Sequence, residues 1–123
     1  MAHEHRTTTI FIIGAGLAGT MLAREIREKG IFGQVSAFLD DDPAKIGTTI
    51  DGIPVLGPIE QTAGLIRIHT GDEALIAIPS ASTDTLKKIY TVLKDAGFDK
   101  IRLLPAVAQI IEGTAHLVQA REI

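Results

Sequence analysis

Cysteine, tryptophan and asparagine are absent from this 123-residue chain, and methionine occurs only twice. Without cysteine there is no disulfide, no thiolate nucleophile and no cysteine-ligated metal, which suits a reducing compartment. The scarcity of thermolabile side chains is a weak pointer to a heat-adapted source. Blocks of basic residues are also missing: the net charge is −3 and the pI about 5.7. That balance argues against a nucleic-acid surface, which needs clustered Lys and Arg to neutralise phosphates. No apolar run approaches the roughly 20 residues that span a bilayer. The opening "MAHEHRTTT" is too polar for a signal-peptide core.

What remains is a chain long enough for one packed core, with 46% hydrophobic and 22% charged residues. Residues 1–8 read as a disordered start or an expression scar, and 9–123 as a single domain. "TIFII" at 9–13 is β-rich and continuous, as a strand covered on both faces should be. Helical spacing follows from Leu17 to Lys29, with Ala18, Met21, Leu22 and Ile26 on its apolar stripe, until Gly30 and Gly33 stop it. Val35–Leu39 is a second strand, ending in Asp40-Asp41-Asp42-Pro43. Ile53–Gly57 is a third, at or near an edge because of its proline.

Pro58 suits the first turn of a helix over Ile59–His69. Glu73–Ile78 and Lys100–Pro105 are further strands, flanking a helix over Thr83–Ala96. A helical turn to Glu112 and a last strand near "AHLVQ" complete the expectation. This alternation predicts a Rossmann-like, doubly wound, mainly parallel α/β sheet of five or six strands, ordered 3-2-1-4-5.

Gly14, Gly16 and Gly19 fall as G-x-G-x-x-G between the first strand and its helix. Alone this is weak evidence, because three glycines also make a tight structural turn. The context adds weight. Asp40 follows Gly19 by 21 positions, close to the offset of about 20 expected of a ribose-binding carboxylate. In that reading Gly14 permits the turn, Gly16 admits a phosphate, and Gly19 lets helix pack on strand. The N–H groups around Leu17 and Ala18 would face a pyrophosphate at the helix's positive end. Asp40 would accept from the 2′ and 3′ hydroxyls and repel a 2′-phosphate, favouring NAD over NADP. It could equally cap its own turn, and Asp41 and Asp42 also suit solvated turn positions.

Pro79 and Ser80 end the fourth strand where a doubly wound sheet opens its crevice. Ser80 could bond a phosphate or ribose, or Ser80 or Ser82 could cap the following helix. "YTVLK" (Tyr90–Lys94) matches the Y-x-x-x-K pair of short-chain dehydrogenases. Tyr90, however, shares its helix's inward stripe with Leu86, Ile89 and Leu93, so core packing is the expected role. His3 and His5 fall in the disordered start, His69 and His116 lack acidic partners at ligand spacing, and no metal or catalytic set is expected.

"FIIGAGLAGTMLAREI", "AFLDDDPAKIGTTIDGIPVLGPIE", "ALIAIPSAS" and "IRLLPAV" together resemble the N-terminal nucleotide-binding domain of CapD-like polysaccharide-biosynthesis proteins. These are bacterial nucleoside-diphosphate-sugar epimerases and dehydratases, and the domain is often described as a CoA-binding-type Rossmann module. The resemblance implies an excised or free-standing module whose parent carries a catalytic short-chain dehydrogenase domain and membrane helices, with this domain cytoplasmic. It carries over Gly14, Gly16, Gly19 and Asp40 as nucleotide contacts, and not Tyr90. Two expectations therefore stand side by side. One is an NAD-binding module of a sugar-nucleotide enzyme, non-catalytic by itself. The other is a sensor or adaptor for CoA or another adenine nucleotide. Either leaves room for a homo-oligomer.

Overall fold

The computed structural model describes residues 7–104 and 121–122. The elements run β1 (Thr9–Ile13), α1 (Leu17–Lys29), β2 (Gln34–Leu39), β3 (Thr49–Ile50), β4 (Ile53–Leu56), α2 (Thr62–Ile68), β5 (Glu73–Ile76), α3 (Thr83–Ala96), β6 (Lys100–Leu103) and β7 (Arg121–Glu122). They form one sheet in the order β3-β4-β2-β1-β5-β6-β7. The five inner strands are parallel, and the two-residue strands β3 and β7 pair antiparallel at the rims. The inner order is the one the β-α alternation predicts, with the proline-bearing strand β4 next to the rim.

β1 is central and dry on both faces. Each side chain from Ile10 to Ile13 is 0% exposed. Ile10 and Ile12 join Leu22 and Ile26 of α1, with Phe38 and Val55, in one core. Phe11 and Ile13 point the other way, to Ile89 and Leu93 of α3 and to Phe98. Period-two alternation thus divides one strand between two cores. Each such side chain contributes about 1.5–3 kcal/mol by burial.

Three boundaries differ from the sequence reading by more than one residue. β5 stops at Ile76, although the Ala77 N–H still reaches the Ile13 carbonyl at 2.8 Å. Pro79, two residues on, has no N–H to extend the ladder. The helix after Pro58 opens as a 3-10 turn over Ile59–Gln61 before α2 begins. β6 ends at Leu103 rather than Pro105. The expected helical turn to Glu112 and the strand near residues 115–119 lie outside the described residues. So does most of the expected disordered start. Among the described residues no helix is long and apolar enough to cross a membrane.

Two glycines set the packing at the end of β1, Gly14 against the segment after β5 and Gly19 between α1 and β1. Gly14 has φ +109°, and a Cβ on it would sit 2.8 Å from the Ala77 carbonyl oxygen. A Cβ on Gly19 would sit 1.8 Å from the Gly14 carbonyl oxygen. Folding itself therefore demands both. Gly19→Ala should lower stability by roughly 1–3 kcal/mol or more, as overpacking does. Gly64→Ala, within α2 and with open space around it, should be neutral or stabilising by up to about 1 kcal/mol. Urea denaturation of both variants checks this. Equal midpoints would overturn the packing role of Gly19.

Candidate functional site

Two turns meet at the C-terminal edge of the sheet. The first is Gly14–Gly16, leading from β1 into α1. The Gly14 N–H donates to the Leu39 carbonyl at 2.7 Å, tying this turn to the end of β2. Gly16 is the N-cap of α1 and offers no capping side chain, and the helix's first turn holds no acidic residue. The leading N–H groups of α1 thus lack the side-chain acceptors that usually satisfy them.

The second turn is the aspartate run after β2, and its carboxylates all bond backbone. Asp40 Oδ2 accepts from the Ala15 N–H at 2.8 Å, and Oδ1 from the Asp42 N–H at 2.9 Å. Asp41 Oδ1 accepts from the Ile59 N–H at 2.8 Å, fastening the turn to the helical segment after β4. Asp42 Oδ1 closes a local turn on the Ala44 N–H. Asp40 therefore caps its own turn and also holds the glycine turn. A carboxylate offers about four lone-pair sites, so two remain for an external donor.

Between the turns opens a cleft of about 490 Å³, within the range of small-molecule sites. Gly14, Gly16, Leu17, Ala18, Asp40, Asp41, Pro79 and Ser80 line it. Gly19 does not, because it is buried under the turn against Gly14. Ser82 rather than Ser80 caps α3, accepting from the Thr85 N–H at 3.1 Å. Ser80 is exposed at the cleft instead. Leu17 is 58% exposed, a large apolar side chain in water beside the helix start.

Sequence reasoning missed Lys45, Ile59, Ile78 and Ile89, which also line the cleft. The isoleucines arrive from three separate segments, so no local pattern marks them. Lys45 did carry a signal, since it stands in the "KIG" stretch just after the aspartate turn. Tyr90 is half-buried against the core shared with Leu93 and is not in the cleft. α3 presents Thr85 and Ile89 there instead. Among the described residues no group of three His, Cys, Asp or Glu could hold a metal ion. His69 sits at the end of α2, and His3, His5 and His116 lie outside the described residues.

Residues 1–105 match the family model of the CoA-binding domain. The chain belongs to that family. This CoA-binding-family domain is 32% identical over 113 residues to the probable polysaccharide biosynthesis protein EpsC of Bacillus subtilis (strain 168), covering 91% of this chain and 19% of that protein. It is also 32% identical over 111 residues to the redox-sensing transcriptional repressor Rex of Roseiflexus sp. (strain RS-1), covering 88% of this chain and 48% of the repressor. It thus spans about a fifth of one relative's length and about half of the other's.

Among solved structures, UDP-D-quinovosamine 4-dehydrogenase from Vibrio fischeri superposes with a TM-score of 0.80 at 31% identity, covering 96% of this chain and 94% of that one. The Rex-family repressor RSP in complex with β-NADH shares the fold, with a TM-score of 0.68 at 23% identity over 82% of this chain and 47% of that one. RSP has also been solved with β-NAD⁺ and operator DNA. The domain is therefore an α/β Rossmann-like member of the CoA-binding-domain family, related to polysaccharide-biosynthesis proteins.

The Asp40 carboxylate ties both turns together. Asp40→Ala should cost about 1–3 kcal/mol, the range for leaving a buried donor unpaired. Amide hydrogen exchange should quicken at Ala15 and Asp42. Unchanged exchange at both would show that the turns hold without this carboxylate.

Proposed function

We propose that this domain is an NAD(H)-binding Rossmann module of a bacterial nucleoside-diphosphate-sugar epimerase or dehydratase acting in polysaccharide biosynthesis. It binds and does not catalyse by itself. Gly16 carries the reading. Unlike Gly14 and Gly19, it meets nothing within 4 Å where a Cβ would stand, and its backbone is extended, at φ −87° and ψ −160°. Any residue could fold there. A glycine is needed only if something must approach that backbone from the cleft.

The chemistry of the lining suits a dinucleotide. The N–H groups of Leu17 and Ala18 would receive the diphosphate, helped by about 0.3–1 kcal/mol from the helix dipole. Asp40 would accept from the adenosine ribose diol with its remaining lone pairs. Ser80 would add a hydrogen bond from the opposite wall, and Asp41 would hold the cleft's rim. Ile59, Ile78 and Ile89 supply an apolar surface for a base. NAD is favoured over NADP because a 2′-phosphate would stand against the Asp40 charge. The likeness to the Vibrio fischeri dehydrogenase and to EpsC supports the sugar-nucleotide setting. RSP's complex with β-NADH supports a nicotinamide ligand.

In this reading the parent protein supplies a catalytic short-chain dehydrogenase domain and holds this module on the cytoplasmic side, with membrane helices or self-association contributed elsewhere. With a net charge of −3, the module itself contacts no nucleic acid.

A second reading is a sensor or adaptor for CoA or another adenine nucleotide, favoured by the family's description and by the Rex relatives. CoA carries a 3′-phosphate on its ribose, which suits Asp40 poorly. Calorimetry with NAD, NADH, NADP, CoA and UDP-sugars separates the two, and tightest binding of CoA would favour the second. Gly16→Val should fold as the parent does and lose NAD binding, because its side chain would fill the diphosphate's place. Tyr90→Phe should bind NAD within about twofold of the parent, a difference of roughly 0.4 kcal/mol. Normal binding by Gly16→Val would overturn the site, and a large loss in Tyr90→Phe would revive a dehydrogenase role for Tyr90.

A further inference from the structure

Ala15 is held from two sides by opposite charges. Its N–H donates to Asp40 Oδ2 at 2.8 Å, and its carbonyl accepts from Lys45 Nζ at 3.3 Å. Both side chains come from the turn after β2, and both line the cleft. The lysine bond is longer than the usual 2.9–3.0 Å for an N–H donor to oxygen, so the tie makes little use of the ammonium. Nζ has two further donors. Among the described residues no carboxylate lies within ion-pair distance of it. The nearby carboxylates, Asp40 and Asp41, spend oxygens on backbone N–H groups instead. A half-buried lysine thus faces the cleft with no ion-pair partner among the described residues.

From this we propose that Lys45 is a second specificity-determining residue at the ribose end, acting with Asp40. The inference rests on the dinucleotide reading above and deepens it. A ribose diol both donates and accepts, whereas a carboxylate reads only donors. An ammonium beside it reads the acceptors, so the pair grips a free diol from both sides. A fully ionised phosphate on the ribose has no donors of its own and replaces one of the two hydroxyls. Asp40 repels it and Lys45 attracts it, and the balance of the two charges sets how strongly phosphorylated riboses are refused. With Asp40 neutralised, Lys45 becomes a phosphate partner.

The test is a set of affinities for NAD and NADP, measured by calorimetry on the parent, Lys45→Met, Lys45→Arg, Asp40→Asn and the double variant. Asn keeps one acceptor, enough for one of the two backbone ties of Asp40, and thermal melts report on folding. Lys45→Met should weaken NAD by about tenfold, the scale of one charge-assisted hydrogen bond, and NADP by more. Lys45→Arg should recover most of that loss, which a packing role for the lysine stem would not predict. Asp40→Asn should narrow the gap between NAD and NADP by about tenfold or more, and adding Lys45→Met should widen it again. If Asp40→Asn fails to fold, the comparison of Lys45→Met with the parent still decides. A ratio of NAD to NADP affinity that ignores Lys45 overturns this inference and leaves the dinucleotide reading standing. Failure of the parent chain to bind either dinucleotide overturns both.

Discussion

The carbonyl oxygen of Gly14 occupies the place where residue 19 would carry its Cβ, and the rest of the domain depends on that approach. With a side chain there, α1 could not lie so close to β1. Leu22 and Ile26 would lose their seat on Ile10 and Ile12. The start of α1 would move away from the sheet's edge, taking the Leu17 and Ala18 N–H groups with it. A single steric constraint thus serves the core and the cleft together.

The aspartate turn extends this logic sideways. Asp40 holds Ala15, Asp41 holds Ile59, and Asp42 closes the turn on Ala44. Three loops that are far apart in sequence become one rigid rim. Preorganisation of this kind removes ordering cost from the binding step, since the loops are already fixed by bonds within the protein. The backbone N–H groups also stabilise the charged carboxylates. An acidic side chain in a cleft that met neither N–H nor water would be costly to keep charged.

The same fold serves a repressor and a sugar-nucleotide dehydrogenase among the proteins it resembles. Fold alone therefore selects no activity, and the functional argument must rest on the cleft's own groups. Gly16 leaves room, the helix start offers donors, and Asp40 with Lys45 sets the polarity of one end. The described residues bring to the cleft neither a Tyr–Lys pair nor a metal-binding cluster.

Much of this was legible in local pattern. The continuous "TIFII" had to be central, because no strand with a wet face tolerates four successive large apolar residues. The proline in "IPVLG" kept that strand near the rim. Gly14, Gly16 and Gly19 announced a strand-to-helix turn, and Asp40 stood at the right distance from it. Local pattern could not separate the three glycines by role. Only the folded chain brings Ala77 against Gly14 and Gly14 against Gly19 while leaving Gly16 bare. Nor could it choose between Ser80 and Ser82 as the cap, since both types and spacings were acceptable. Ile59, Ile78 and Ile89 read as ordinary core residues until crossovers set them around one opening. Strand and helix positions, turn positions and the candidate glycines were decided by residue type and spacing, which act over a few positions. The two-sided hold on Ala15, and the charge left facing the cleft at Lys45, were decided by tertiary structure, because hydrogen bonds between residues 25 and 30 positions apart exist only once the sheet has formed.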